Sequence, residues 1–388
     1  MAEAIFYISA ALLFHSYILY PFLAWLFANL FGKKYLNDPG IEPRVSVLIA
    51  AYNEEKVIRA TVEGLLSSDY PPEKLEILVG SDNSSDRTPE IMREICTRDS
   101  RVKFFHSTSR KGKTGILNWI SKEATGEVLV LCDSNMLFDR RAIRNLTANF
   151  ADPKVGGVSG EIHLRKSEMG NQETSYWSFE SWLKTQEGKL GKLIGANGGI
   201  YAIRKENYFI YPEGHPMNDD FVTCLKVLGK GQHFKYDPGA FAQEEPSPSN
   251  EDEFKRKRRI QISNLGSLAY LKEFLFPFGS YTAFALWSHK ILRWMTPFLF
   301  LLMLCSSALQ IRMINFHLFF IAFTFMSFFF AGLGRLFSKT GMKVVPFLLF
   351  YYFYGTLYAF FMGTFGYFSS RKYQRSLVGI SFGLRLSP

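Results

Sequence analysis

Asp133 and Asn135 are the two residues of this sequence whose types and spacing best suit a divalent cation. They follow a continuous apolar run at 128–132, which is typical of a strand buried on both faces of a parallel sheet. Open α/β sheets bind ligands beyond the carboxyl ends of their strands. Two oxygen-bearing side chains one residue apart point the same way from an extended segment, and such ligands suit Mg²⁺ or Mn²⁺ carrying a diphosphate. An ordinary Asp-Ser-Asn turn is the alternative interpretation.

Two further apolar runs end in polar clusters in the same way. The run 45–51 is followed by Tyr-Asn-Glu at 52–54, and the run 75–80 is followed closely by Asp82. Each cluster alone could be a turn or a helix cap. Three strands that end alike predict one polar edge of a sheet, where acidic and amide groups hold a base and a ribose. Lys113 and a bound cation would then lie near the phosphates.

Helical patterns separate these strands. Apolar residues recur at helical spacing over 56–67, and Asp86 can cap a second helix. A third strand is predicted at 102–106, followed by a helix that opens at 110–113 and runs to about residue 124. Strand and helix alternating at this spacing predict the α/β class, with a doubly wound, mostly parallel sheet.

The N-terminal segment predicts a retained membrane anchor. Residues 4–31 contain no Asp, Glu, Lys or Arg and are long enough to cross a bilayer core of about 30 Å. A cleaved signal peptide would have a shorter apolar core with basic residues before it. Lys33 and Lys34 follow directly, so the positive-inside rule places the next domain in the cytoplasm, under a bacterial inner or plasma membrane.

Charge and cysteine usage narrow the function class. The net charge of +10 is expected to face anionic lipid and a diphosphate donor, because no basic stripe with interleaved aromatics suggests nucleic-acid binding. The four Cys show no paired spacing, which fits a reducing compartment and argues against a zinc site.

Several motifs in order carry a family resemblance. The segments AAYNEE, SDNSSDRT, GKTGILN and CDSN, followed by GANGG at 195–199, YAIR at 201–204 and NDD at 218–220, resemble the donor-site and catalytic motifs of inverting family 2 glycosyltransferases with a GT-A fold. The resemblance covers roughly residues 44–270. With its hydrophobic flanks, the chain is similar to the membrane-integrated branch that includes chitin-oligosaccharide, hyaluronan and cellulose synthases.

The resemblance implies a role for each matching residue. Asp220 matches the general base, which an inverting transfer needs on the face opposite the leaving group. Asp133 and Asn135 match the metal-binding Asp-x-Asp, with Mg²⁺ or Mn²⁺ as the cofactor, and Asn135 contributes an oxygen but no charge. A helix start is the alternative interpretation of residues 218–220. The implied donor-site residues are Ala51, Tyr52, Glu54, Asp82, Lys113 and Asp133, and those on the acceptor or phosphate side are Gly198, Gly199, Asp219, Arg256 and Arg259.

The sequence departs from its polymerising relatives at one motif. Those relatives carry Gln-x-x-Arg-Trp, whose Trp stacks on the acceptor sugar, whereas this chain has Arg256 in place of the Gln and Ile260 in place of the Trp. A branched aliphatic side chain lacks the flat platform that a pyranose prefers. This change favours addition of one sugar to a lipid-linked or glycan acceptor. The same basic run could also be an interfacial helix bound to anionic headgroups.

The predicted organisation has five parts. They are an anchor at 1–34, a cytosolic catalytic domain at 44–270, interfacial helices at 271–294, transmembrane helices at 295–370 and a basic tail at 371–388. Apolar segments near 296–311, 314–337 and 344–368 bring the predicted spans to four and leave the side of the C-terminus open.

The sequence therefore predicts an integral-membrane, metal-dependent, inverting glycosyltransferase, for a hexosyl or N-acetylhexosaminyl group. It would use a nucleotide sugar, most simply a UDP-sugar. A processive polysaccharide synthase coupled to secretion is one alternative, and a membrane scaffold or glycan-binding protein without activity is another. Neither the sugar nor the oligomeric state follows from the sequence.

Overall fold

The computed structural model describes residues 1–165, 172–245, 250–277, 279–310, 315–340, 342 and 344–370. The predicted basic tail at 371–388 lies outside them. The chain divides into two compact units. An α/β unit comprises Leu26–Lys166 with Glu180–Pro246, and a helical unit comprises Met1–Trp25, Ser167–Phe179 and Ser247–Pro388.

A single sheet forms the centre of the α/β unit. Its strand order is β3-β2-β1-β4-β7-β6-β8-β5. The first four of these run parallel, β7 runs antiparallel to both of its neighbours, and β6 and β8 are parallel. The strands are β1 (Val45–Ala51), β2 (Leu75–Ser81), β3 (Val102–His106), β4 (Val128–Asp133), β5 (Leu137–Phe138), β6 (Val155–Leu164), β7 (Ile200–Arg204) and β8 (His233–Glu244).

The parallel half of the sheet confirms the strands predicted from apolar runs. Val47 and Ile49 in β1 and Leu129 in β4 are fully buried, as expected for strands covered on both faces. The sequence patterns did not predict β5 to β8. The reason is local, because β6 contains three glycines and β8 contains a proline and charged residues, which obscure the strand period.

Helices connect and cover these strands. At Gly80 in β2, a Cβ atom would lie 2.3 Å from Ile116 of the helix at Gly112–Glu123 (α4), so this helix packs closely on the strand. In helix α7, two acids occupy the first turn, where they interact favourably with the helix dipole. The helices are α2 (Ile58–Leu66), α3 (Thr88–Arg98), α4 (Gly112–Glu123), α5 (Ala142–Ala148), α6 (Gln172–Lys189, which starts in the helical unit) and α7 (Asp219–Gly229).

Three helices of the described chain are long and apolar enough to cross a membrane. They are α1 (Ala2–Phe31), α11 (Asn315–Thr340) and α12 (Val345–Ser369). Helix α10 (Thr296–Ala308) has 13 residues, which is about 20 Å and too short to span alone. Helix α10 is long and apolar enough to span only if it is taken together with α9 (Tyr281–Trp294), and the two helices meet at a bend of 63°. The sequence predicted interfacial helices at 271–294 and a separate span near 296–311. In the structure, helices α9 and α10 in these segments form one bent pair.

Helix α8 (Asn250–Leu268) carries the basic run and packs on α12 within the helical unit. Lys257 Nζ lies 3.6 Å above the ring of Tyr352 and donates a hydrogen bond of 2.7 Å to Thr356 Oγ1. A Cβ atom at Gly363 would lie 2.8 Å from Gln261 Cβ. One face of the basic helix is therefore fixed against a candidate membrane helix.

Candidate active site

The ends of three parallel strands bring polar residues to one edge of the sheet. In the register of these strands, Ala51 of β1 lies beside Ser81 of β2, and Ala50 lies beside Asp133 of β4. Tyr52 and Asp82 are the next residues along β1 and β2. Because neighbouring parallel strands end together, these residues share the edge where such sheets bind ligands.

Asp82 organises the loop that precedes α4. Its carboxylate is almost completely buried and accepts hydrogen bonds from the backbone N–H groups of Lys111, at 2.5 Å, and Gly112, at 3.0 Å. Arg110 Nε donates a third bond, at 2.9 Å. Gly112 has a φ of +74°, which glycine adopts without strain. A carboxylate at the end of β2 thus fixes the loop that leads directly into Lys113.

Arg110 stacks on Tyr52. The guanidinium carbon lies 3.3 Å from the centre of the Tyr52 ring, and 43% of the Tyr52 side chain is exposed. The pair and Asp82 form a flat, polar surface of a kind that can receive an aromatic base. The motif comparison gave Arg110 no role. Its position directly before the glycine of the loop was the signal that could have identified it.

Glu54 lies in the loop after β1. Burial raises the pKa of its carboxyl, a hydrogen bond with Ser134 opposes that effect, and the charge of Asp133 adds to it. The backbone N–H of Glu54 donates to Thr88 Oγ1 at 2.8 Å, which joins the loop to the start of α3. Glu54 therefore lies near the same strand end as Asp133.

Lys113 joins the sheet edge to the start of α7. Its Nζ lies 2.7 Å from Asp133 Oδ1 and 3.0 Å from Asp219 Oδ1. Burial alone would lower the pKa of this ammonium, but the two carboxylates outweigh burial and raise the pKa well above its ordinary value. Lys113 consequently stays charged and holds together two carboxylates that are far apart in the sequence.

Asp219 and Asp220 are adjacent residues in different environments. Asp219 is almost fully buried and accepts a hydrogen bond of 2.9 Å from the hydroxyl of Tyr201. Asp220 is partly exposed. Burial and, secondarily, the negative charge of Asp219 raise the pKa of Asp220 to about 6, although Lys113 opposes this shift. A carboxyl with that pKa can accept a proton at neutral pH, as a general base must.

A fixed loop faces Asp220. Lys184 Nζ donates to Asn197 Oδ1, and Asn197 Nδ2 donates to the carbonyl oxygen of Gly160 at 2.6 Å. A Cβ atom at Gly198 would lie 3.4 Å from Asp220 Oδ2, and one at Gly199 would meet the Met136 side chain at 2.6 Å. Both sequence-predicted glycines therefore lie where the backbone approaches other groups closely. Lys184 was not among the predicted site residues.

Asp133 and Asn135 offer oxygen ligands to a cation at this edge of the sheet. The oxygens of a diphosphate would complete the coordination of such a cation. Asp133 supplies a carboxylate, and Asn135 Nδ2 lies 3.4 Å from Glu244 Oε1. Among the described residues, no three His, Cys, Asp or Glu side chains are grouped to hold a metal on their own. Mg²⁺ in nucleotide sites is bound by one or two carboxylates together with substrate phosphates. The donor set agrees with that mode and not with a closed protein site.

Arg256 and Arg259 belong to the helical unit. Arg256 Nε lies 2.8 Å from Glu253 Oε2, one turn earlier on α8. Arg259 and Ile260 are exposed on the same helix. The other predicted site residues all belong to the α/β unit.

The chain is similar to known glycosyltransferases. Residues 46–210 match the family model described as Glycosyl transferase family 2. The chain is 30% identical over 217 residues to a probable glycosyltransferase, YdaM, of Bacillus subtilis, covering 52% of this chain and 51% of that protein. It is 27% identical over 201 residues to the poly-beta-1,6-N-acetyl-D-glucosamine synthase of Staphylococcus aureus, covering 50% and 48%.

A third relative is the beta-monoglucosyldiacylglycerol synthase of Trichormus variabilis, 28% identical over 177 residues, covering 43% of this chain and 37% of that protein. The chain spans about half the length or less of these curated relatives. A mannosyltransferase from Pyrobaculum calidifontis, solved with GDP-Man and Mn²⁺, superposes with a TM-score of 0.70 at 21% identity, covering 93% of this chain and 99% of that one. This likeness confirms the GT-A-like fold expected from the sequence.

Proposed function

We propose, from the match of residues 46–210 to the family 2 glycosyl transferase model, that this chain transfers a sugar from a nucleotide-sugar donor to a lipid-linked or glycan acceptor with inversion. The same match supports the broader proposal of glycosyltransferase activity with a nucleotide-sugar donor. The observation that carries the finer proposal is the arrangement of Asp220, with its raised pKa, beside the linked residues Asp219, Lys113 and Asp133.

The donor would bind along the sheet edge. The base would lie on the surface formed by Tyr52, Arg110 and Asp82, and the diphosphate would lie near Lys113. Asp133, with Asn135, would hold Mg²⁺ or Mn²⁺, and this cation would neutralise the charge that develops on the leaving diphosphate. A Mn²⁺ ion accompanies GDP-Man in the Pyrobaculum mannosyltransferase. We propose a UDP-sugar as the donor here.

Asp220 would act as the base. As the acceptor oxygen attacks the anomeric carbon, the bond from that carbon to the diphosphate breaks and the hydroxyl proton passes to Asp220. Attack from the face opposite the leaving group inverts the anomeric centre. Asp219 would not take the proton, because its carboxylate is bonded to Lys113 and Tyr201. Its role would be to raise the proton affinity of Asp220 and to orient Lys113.

The acceptor is proposed to be a lipid-linked or other membrane glycan that receives one sugar. Support comes from Ile260, which occupies the position of the stacking Trp and is exposed on α8. One relative is named as a synthase of a glucosyl lipid and another as a polysaccharide synthase, so processive synthesis remains the second candidate. Processive synthesis would be coupled to secretion through the membrane helices.

The membrane arrangement is part of the proposal. The three candidate spanning helices fit a membrane protein. Lys33 and Lys34 directly follow the apolar helix α1, so the catalytic domain, taken as residues 44–270, would lie on the cytoplasmic side.

The test is transfer from a panel of labelled UDP- and GDP-sugars by the full chain in detergent, with Mn²⁺ or Mg²⁺. We expect Asp220→Asn to lower the rate by about 10²–10⁴-fold, the usual contribution of a general base. Glu123→Gln, an exposed carboxylate at the end of α4, is the matched control. Unchanged transfer by Asp220→Asn would show that this carboxylate is not the base.

The same assay separates the alternatives. A single added sugar supports the proposed reaction, and a ladder of long products would establish polymerisation instead. Binding of nucleotide sugars without any turnover would support the scaffold or glycan-binding alternative.

A further inference from the structure

A basic cluster lies in the α/β unit away from the candidate active site. It consists of Lys33, Lys154, Lys192 and His233 (the basic cluster). Lys33 Nζ lies 2.9 Å from His233 Nε2, and the backbone N–H of His233 donates to the carbonyl oxygen of Lys154 at 2.8 Å. Lys192 forms an isolated β-bridge beside Phe234. Four separate parts of the chain therefore bring these basic groups together.

The cluster lies at the sheet edge opposite Asp133. Strand β7 is antiparallel to both β4 and β6, so β6 runs in the direction of β4, and β8 runs parallel to β6. Lys154 precedes the first residue of β6 and His233 is the first residue of β8. The basic cluster is consequently at the amino ends of these strands, whereas Asp133 ends β4. The diphosphate of the donor would not reach it.

Asp152, whose carboxylate accepts a hydrogen bond of 2.9 Å from the backbone N–H of Lys154, offsets only part of the positive charge of the cluster. In the described ranges, none of Lys33, Lys154 and Lys192 forms an ion pair with a carboxylate. Burial and then the charge of Lys33 lower the pKa of Lys192. Asp152 raises the pKa of His233, but burial, the charge of Lys33 and the charge of Lys192 each lower this pKa by more. Like charges held together in this way favour a bound anion.

His233 supplies a hydrogen-bond donor that lacks an acceptor. An ammonium can only donate, so His233 Nε2 accepts from Lys33 and the ring proton is on Nδ1. His233 is nine-tenths buried, and its Nδ1 has no hydrogen-bond partner among the described residues. The buried hydroxyl of Tyr35, whose ring meets the His233 ring edge-on at 5.5 Å, has none there either. The imidazole N–H and the Tyr35 hydroxyl are enclosed by protein, so a bound anion would contact the ammonium groups of Lys33 and Lys192, whose side chains reach the surface.

The position of Lys33 in the chain identifies the class of anion. Helix α1 ends at Phe31, so Lys33 lies within about 7 Å of the end of an apolar helix long enough to span a membrane. Headgroup phosphates are the anions at that depth. We propose that the basic cluster binds the phosphate of an anionic membrane lipid. The proposal depends on α1 entering a bilayer and not on the transfer reaction.

The test measures lipid binding by the full chain. Apparent dissociation constants for phosphatidylglycerol and phosphatidylcholine are determined by native mass spectrometry of the detergent-purified protein. We expect Lys33→Met and Lys192→Met each to weaken phosphatidylglycerol binding about fivefold, the effect of one lysine near an anionic surface, with phosphatidylcholine binding unchanged. His233→Phe keeps an aromatic ring but removes Nε2, the atom that holds the Lys33 ammonium, and should weaken binding in the same direction.

Two controls make the result specific. Lys192→Arg should restore most of the phosphatidylglycerol binding, and Lys122→Met, at an exposed lysine of α4, should leave it unchanged. Equal phosphatidylglycerol binding by the wild-type protein, Lys33→Met and Lys192→Met would overturn the proposal.

Inorganic phosphate is the competing probe. We expect millimolar phosphate not to displace the lipid, because burial of the acyl chains contributes binding free energy that free phosphate lacks. Complete displacement, together with phosphate binding that Lys192→Met abolishes, would assign the cluster to free phosphate and overturn the lipid assignment. Since lipid binding is the measured quantity, loss of sugar transfer has no effect on this test.

Discussion

Asp220→Asn should lower the rate of transfer by about 10²–10⁴-fold and at the same time stabilise the folded protein at neutral pH. The site keeps this carboxyl in surroundings that disfavour its charge, because burial and the neighbouring carboxylate of Asp219 raise its pKa from 3.8 to about 6. An amide of nearly the same shape carries no charge at any pH. The substitution therefore removes an unfavourable ionisation together with the proposed base.

The sign and the pH window follow from the two pKa values. Between about pH 4 and 6 the folded state keeps a proton on Asp220 that the unfolded chain has already lost, so this group makes stability fall as pH rises through that window. Above pH 6 the loss is complete. Raising the pKa of Asp220 from 3.8 to about 6 lowers the free energy of unfolding by at most about 3 kcal/mol. For a unit of this size, each kcal/mol changes the melting temperature by about 2–4 °C.

The assay is thermal unfolding of the detergent-purified wild type and Asp220→Asn at several pH values from 4 to 8. The melting temperature of the variant minus that of the wild type should increase between pH 4 and 6 and stay constant above. Glu123→Gln, which changes an exposed carboxylate, should give a pH-independent difference. A constant difference for Asp220→Asn as well would refute the conclusion that the folded site opposes ionisation of this residue.

Three further substitutions test the donor site. Lys113→Met leaves the Asp133 carboxylate without its ammonium, and we expect donor KM to rise at least about tenfold, measured by initial rates at saturating acceptor. Arg110→Ala removes the group stacked on Tyr52, and should weaken nucleotide diphosphate binding by about five- to tenfold in calorimetry with kcat less affected. Asn135→Asp adds a charged oxygen ligand, so the Mn²⁺ concentration for half-maximal activity should fall; an unchanged value would place the cation away from Asn135.

The sequence predicted the parallel half of the sheet because strands that are buried on both faces appear as nearly continuous apolar runs. A largely apolar run followed by a carboxylate locates both a strand and its carboxyl end. The run before Asp133 is uninterrupted, and the run before Asp82 contains Glu76 and ends in Ser81. Neighbouring parallel strands then bring these ends to one edge. The antiparallel half could not be predicted in this way, since β6 and β8 combine glycine, proline and charged residues over their length.

The contacts inside the site depend on side chains that no local pattern relates. Lys113 lies 20 residues before Asp133 and 106 before Asp219, yet its ammonium contacts both. Arg110 is one of several basic residues in its segment, and only the folded loop selects it to stack on Tyr52. Spacing along the chain cannot provide such contacts, because each depends on strand order and on the direction in which a helix begins.

The adjacent carboxylates Asp219 and Asp220 show how one helix start can produce two chemical roles. Successive residues in a helix point about 100° apart, so at the start of α7 one side chain can enter the core while the next faces the cleft. Asp219 accepts a hydrogen bond from the hydroxyl of Tyr201 and pairs with the ammonium of Lys113, and its negative charge contributes to the raised pKa of Asp220. Two carboxyl groups whose surroundings differ in this way can divide the tasks of charge stabilisation and proton transfer. Asp220 is the partly exposed carboxylate of the two, and its pKa is raised to about 6. Both features support Asp220 as the base independently of motif resemblance.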